Sequence, residues 1–294
     1  FFFGSVGGMF SLQQSFGEFF TDIYNKFKNN KILGLYLSYK PAIIVNDPEL
    51  VQDVMIRDFT SFHDRGLYVN EKIDPLGAHL FMIEGQKWRD LRVKLSPTFT
   101  SGKLKGMFPI IRDCGNTLQE YLIKTAKNGN EVFEARDLWA RYTTNVISSV
   151  AFGINNDCIN DPDNIFRKMG LKIFETSLKQ IIRDTVAFFM PGIFKIFNIK
   201  QVPKELDDFF FSVVRQSVDL REKGKENERK DFMQLMVQLK NQGFLSADKD
   251  GDEKEIENES LIQQYLFPLN LAVISSTAII PPSLCFMNYT PHNQ

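Results

Sequence analysis

A chain of 294 residues can bury a substantial core, in one large domain or two small ones. Its 35 lysines and arginines nearly cancel 36 aspartates and glutamates, so no overall field recruits nucleic acid or an anionic surface. Three cysteines, Cys114, Cys158 and Cys285, are too few and too scattered for a disulfide framework or a clustered metal site, which makes a reducing, cytosol-facing compartment the default.

Residues 1–20 mix glycine, glutamine and glutamate without a basic flank, so they read neither as a signal peptide nor as a spanning helix. With no initiator methionine at Phe1, the natural beginning of the protein is expected to lie upstream. Residues 32–39 and 42–45 are short β-prone runs around Lys40-Pro41 and predict a small antiparallel hairpin. Asp47 then caps a helix that opens on Pro48, carries Leu50, Val51, Val54 and Met55 on one face and ends near Asp58. Further helices are expected over 85–95, 103–127, 133–151, 164–188, 204–221 and 231–242. Leu138, Trp139, Tyr142, Val146, Ile147 and Val150 recur at three- and four-residue steps and predict a core face in the fourth of these seven helices, counting the Pro48 helix as the first.

Between two helices, residues 188–197 form an apolar connection, Phe-Phe-Met-Pro-Gly-Ile-Phe-Lys-Ile-Phe, which needs an apolar cover. The charge runs at 221–231 and 247–259 read as solvated connections, and no internal repeat is found. Residues 261–280 carry no charge, but Gln263, Gln264, Pro268 and Asn270 interrupt their apolar face, which suits a buried central helix better than a spanning one. Pro281-Pro282 stops it, and the tail to Gln294 has no readable pattern. The fold class is therefore mainly α with a small β-hairpin. The 28 phenylalanines suit a bulky core first and an apolar ligand site second.

Trp88 and Arg92 stand four residues apart on an expected helix, which sets an indole N–H beside a guanidinium fork. Such a pair can hold a carboxylate, since arginine binds it bidentately and keeps its charge when buried; a half-buried structural face is the plainer reading of the pair alone. Around it the sequence runs Asp74-Pro75-Leu76-Gly77-Ala78-His79-Leu80-Phe81, then Glu84-Gly85-Gln86-Lys87-Trp88-Arg89-Asp90-Leu91-Arg92, then Leu95-Ser96-Pro97-Thr98-Phe99. This closely resembles the C-helix region of microsomal cytochromes P-450, most of all the insect branch that oxidises plant toxins and insecticides. The upstream Phe62-His63-Asp64-Arg65-Gly66 strengthens the match, Asp47-Pro48-Glu49-Leu50, Ala151-Phe152-Gly153 and Asp231-Phe232-Met233-Gln234-Leu235-Met236 fall in that family's order, and the resemblance reaches from Phe1 to about Gln264.

The resemblance implies the N-terminal half of the P-450 fold over residues 1–264, with 265–294 a divergent tail. It implies haem as cofactor, its propionate held by Trp88 and Arg92, a pocket for an apolar substrate shaped by the loop that carries Tyr68, His79 and Phe81, and an NADPH-dependent reductase as partner. It places the protein on the cytosolic face of the endoplasmic reticulum membrane, touching the lipid surface through Phe188, Phe189, Ile193 and Phe194. His63, His79 and His292 are read as ordinary residues, because the family's axial ligand is a cysteine thiolate.

That cysteine lies in a phenylalanine- and glycine-rich loop, which none of Cys114, Cys158 and Cys285 resembles. The acid-threonine pair of the central helix is replaced by Val273 and Ile274, which cannot relay a proton. The chain is therefore expected to be inactive by itself, and a shifted reading frame near the end would account for the departure. A non-catalytic helical binding protein that keeps part of the pocket is the alternative.

Overall fold

The computed structural model describes residues 5–10, 13–127, 134–173, 177–224 and 229–242. The expectations for residues 243–294, including the central helix, Cys285 and His292, lie outside the described residues. The elements are α1 (Gly7–Phe10), α2 (Phe16–Phe27), β1 (Ile32–Leu37), β2 (Lys40–Val45), α3 (Pro48–Gln52), a π-helical turn (Asp53–Arg57) and α4 (Phe59–Phe62). They continue with α5 (Gly85–Leu95), a 3-10 turn (Ser96–Phe99), α6 (Ser101–Lys127), α7 (Ala135–Ala151) and α8 (Ile165–Ile173). The series closes with α9 (Leu178–Phe189), α10 (Pro191–Phe197), α11 (Lys204–Glu222) and α12 (Phe232–Gln242). The chain is mainly α with one two-stranded antiparallel sheet among the described residues, as expected.

Two compact units divide it. The first gathers the described residues of Phe1–Ile73, Met82–Arg89 and Thr176–Gln201, the second those of Asp74–Phe81, Asp90–Glu175 and Val202–Gln294. In the first unit, β1 pairs with β2 from Ile32↔Val45 to Leu37↔Lys40, so Ser38-Tyr39 makes the turn and Ser38 takes a left-handed φ of 57°. Val6, Phe19, Leu35 and Phe189 form its buried cluster, flanked by Phe20, Ile23, Leu37, Ala42, Ile44 and Met190. Helix α2 was not expected from periodicity, yet its start carries a capping box: Glu18 N–H donates to Ser15 Oγ and Ser15 N–H to the Glu18 carboxylate.

Asp47 caps α3 as expected, its carboxylate accepting from the N–H groups of Glu49 and Leu50. The helix does end at Asp58, but through a wider turn, because Asp58 N–H bonds back five residues to the Asp53 carbonyl, at 2.8 Å. The expected helix 164–188 is two elements, α8 and α9, the second opened by a fresh N-cap in which Ser177 Oγ accepts from Gln180 N–H. Residues 188–197 are not a loop: α9 runs to Phe189 and α10 begins at Pro191, whose fixed φ suits a first helical residue.

In the second unit, Leu118 of α6, Leu138 of α7 and Ile159 pack together. Phe152, Phe166, Phe209 and Phe210 interlock with ring centroids 5.2–6.3 Å apart. The buried stripe of α7 is turned from the expected one: Trp139 is 45 % exposed, while Leu138, Asn145, Ile147, Ser148 and Ser149 are buried. The reason is that polar residues join the stripe: Asn145 Oδ1 accepts Cys158 N–H at 2.9 Å and Ser149 Oγ donates to the Ile154 carbonyl at 3.3 Å. Where α11 ends, Arg221 makes a bidentate pair with Asp231, both side chains fully buried.

Candidate functional site

Helix α5 carries the two residues that the sequence singles out, and its N-terminal turn is held by the segment before it. Asp64 Oδ1 accepts the Gly85 N–H at 2.8 Å, and this bond above all holds the Asp64 carboxyl below its usual range; the neighbouring His63 Nδ1, 2.7 Å away, adds to it. Gly85 needs its glycine, with φ of 62°. Lys87 Nζ bonds Glu71 Oε1 at 2.9 Å, and the Trp88 indole leans on Phe59 with centroids 5.8 Å apart. The Phe62-His63-Asp64-Arg65-Gly66 motif thus contributes the cap of α5, a role its sequence position did not reveal.

Trp88 is half-buried, and Arg92, one helical turn on, is exposed. The Arg92 guanidinium has no hydrogen-bond or ion-pair partner among the described residues, nor has the Trp88 indole N–H. The Arg92 carbonyl accepts from Ser96 Oγ at 2.7 Å. A guanidinium and an indole N–H four residues apart on one helix, both without a partner among the described residues, can offer hydrogen bonds to a carboxylate.

Of the residues expected around a substrate pocket, Tyr68 is half-buried in the first unit, where its carbonyl accepts from Gln201 Nε2 at 3.3 Å. His79 and Phe81 belong to the second unit. His79 is 5 % exposed, and burial pushes its pKa down to about 4, so it is a neutral imidazole; its Nδ1 accepts the Phe81 N–H at 3.3 Å. The Phe81 ring is half-exposed.

Cys114 and Cys158 are buried thiols; burial above all raises both, Cys158 to about 11. Neither presents a thiolate to a metal, and no group of three or more metal-ligating side chains is found among the described residues. Of the apolar residues expected to meet a lipid surface, Phe189 and Phe194 are 4 % and 1 % exposed and are ruled out, since Phe189 belongs to the first unit's core. The outward apolar side chains are Phe188, Ile193, Ile196 and Phe197, the last two 75 % and 70 % exposed. The helical period of α10, unseen when the segment is read as a loop, separates the two sets. No helix among the described residues is long and apolar enough to cross a membrane.

The sequence profile of the cytochrome P450 family matches residues 2–269. This chain belongs to the cytochrome P450 family. It is 38 % identical over 262 residues to cytochrome P450 6d3 of Musca domestica, covering 87 % of this chain and 50 % of that one. Probable cytochrome P450 6d5 of Drosophila melanogaster is 40 % identical over 247 residues, 84 % of this chain and 48 % of its own length. Cytochrome P450 6A1 of Musca domestica is 41 % identical over 239 residues, 81 % and 46 %. The chain thus spans about half the length of the curated relatives it matches, and the insect branch expected from the C-helix residues is the one found.

Proposed function

We propose that this P450 chain serves a haem-dependent monooxygenase, which inserts one oxygen atom of O2 into apolar substrates such as plant toxins and insecticides, with electrons from an NADPH-dependent reductase. Family membership supports the chemistry, and the observation that carries the site is the Arg92 guanidinium, without a partner among the described residues, one turn from the Trp88 indole on α5. Haem iron, when bound, would supply the activation of dioxygen. Arg92 and Trp88 would hold a haem propionate, and Arg92 is suited to it because no described residue neutralises its charge. By the family reading, His79 and Phe81 would line a substrate pocket, where His79 contributes a neutral ring rather than a proton. Phe188, Ile193, Ile196 and Phe197 would rest on the cytosolic face of the endoplasmic reticulum membrane.

The division into a family domain over 1–264 and a divergent tail over 265–294 is part of the same reading, and sequencing of the transcript across the Gln264–Gln294 codons tests it. Cys114 and Cys158 are buried thiols and Cys285 lacks the family's glycine-rich setting, so the polypeptide Phe1–Gln294 by itself should form no haem-thiolate complex. The test is the reduced, carbon monoxide-bound spectrum of haem-reconstituted protein. The chain alone should lack the red-shifted band of a thiolate-ligated haem. A chimera in which residues 1–242 replace the matching part of cytochrome P450 6d3 should show it. A chimera that folds and binds no haem would refute the reading.

A further inference from the structure

Residues Asp74–Phe81 are a short piece of the second unit whose neighbours in the chain on both sides, Ile73 and Met82, belong to the first. The piece has no helix or strand, yet Leu76, Ala78 and His79 are 3 %, 0 % and 5 % exposed. Irregular backbone is normally found at the surface, because a buried segment must find partners for every N–H and C=O. Here three of these bonds converge on one residue. Asp74 is 2 % exposed; its Oδ1 accepts the Gly77 N–H at 3.1 Å, its Oδ2 accepts the Val202 N–H at 3.2 Å, and its own carbonyl accepts the Ala78 N–H at 3.0 Å. Val202 lies 128 residues along the chain, immediately before Pro203, the N-cap of α11. Gly77 completes the fit: a Cβ there would stand 2.5 Å from Asp74 Oδ2, so the carboxylate occupies the space that any other residue would need.

We propose that Asp74 is a positioning residue for the pocket-wall segment, its two carboxylate oxygens fixing the buried turn that carries His79 to the backbone ahead of α11. The pocket role of the segment rests on the functional reading above; the anchor itself does not. A carboxylate is needed because both positions are acceptors. In an asparagine one of them becomes an NH2, which meets a backbone N–H head-on, so Asp74→Asn keeps the shape and breaks one bond. Gly77→Ala attacks the same carboxylate from the other side. Val202 N–H and Gly77 N–H answer to a single group and so should open together.

The experiment uses the full chain and needs neither haem nor substrate, so its failure is distinct from a failure of the monooxygenase reading. Ring signals of the three histidines are titrated by NMR in the parent, Asp74→Asn, Gly77→Ala and, as a control, Asp113→Asn at an exposed carboxylate. The parent His79 should titrate near its depressed value of about 4. In Asp74→Asn and Gly77→Ala it should rise toward its ordinary 6.5, while the His63 curve and the helical far-UV signal stay as in the parent and in the control. A His79 titration unchanged in both folded variants overturns the proposal. Should either variant fail to fold, amide exchange on the parent decides. Gly77 and Val202 N–H, each corrected for its intrinsic exchange rate, should give one opening free energy with one denaturant dependence, and two unrelated values overturn the anchor.

Discussion

Asp231→Ala tests the most completely buried charge pair in the second unit. Asp231 has no exposed side-chain surface and accepts from Arg221 Nη1 at 2.6 Å, Arg221 Nη2 at 2.7 Å and the Gln234 N–H at 2.9 Å, with Arg229 Nε 3.1 Å away. Truncation leaves the fully buried Arg221 guanidinium without its counter-charge, and its Nε already has no hydrogen-bond partner among the described residues. Breaking such a pair from one side costs about 3–5 kcal/mol, against a total stability of roughly 5–15 kcal/mol for a domain. Replacing both partners with apolar residues of similar size, Arg221→Met with Asp231→Leu, removes the uncompensated charge and should cost less than the single change. Urea unfolding followed by far-UV circular dichroism measures both. A cost under about 1 kcal/mol for Asp231→Ala, or a double variant weaker than the single, would show that the pair is not what closes α11 onto the segment before α12.

Gly153→Ala should lower stability by at least about 3 kcal/mol in the same assay, because its φ of 71° disfavours a side chain and an added Cβ would fall 1.8 Å from Arg221 Nη2. His79 sets a pH dependence. Its folded pKa of about 4 lies below the 6.5 of the unfolded chain, so the unfolded state binds the extra proton between these values. Stability is full above pH 6.5 and falls by up to about 3 kcal/mol as pH drops to 4; His79→Phe should flatten that limb, and an unaltered slope would refute it. Cys114 and Cys158 should resist iodoacetamide in the folded chain and react on unfolding, as read by peptide mass spectrometry; full labelling without unfolding would contradict their burial.

Much of this was legible in the sequence because the signals are local. Asp47-Pro48 starts a helix by capping and fixed φ, the hairpin follows from two β-prone runs and a turn, and α5 was placed with the bounds observed. Other features depend on what lies across the fold. Trp139 matches an apolar repeat but is exposed, because the buried stripe is chosen by the polar partners Asn145 and Ser149. Phe189 and Phe194 read like Phe188 and Phe197, and only the helical turn of α9 and α10 decides which of them meets the interior. The Ser15–Glu18 capping box was present in the sequence and would have revealed α2. Trp88 and Arg92 stand out in the sequence by their spacing alone, whereas the bonds of Asp64 and Asp74 depend on backbone groups 21 and 128 residues away.

Haem retention by the chimera with cytochrome P450 6d3 when Arg92 is changed to Ala tests whether α5 holds the cofactor. A lost charged hydrogen bond is worth about 1.5–3 kcal/mol, so haem should dissociate with roughly 10- to 150-fold weaker affinity. Arg92→Lys should recover part of the loss, and reconstitution with the dimethyl ester of haem, which has no free propionate, should make parent and variant alike. Equal affinity of the parent and Arg92→Ala for free haem, in protein of unchanged helicity, would contradict the central claim that α5 holds the cofactor's carboxylate.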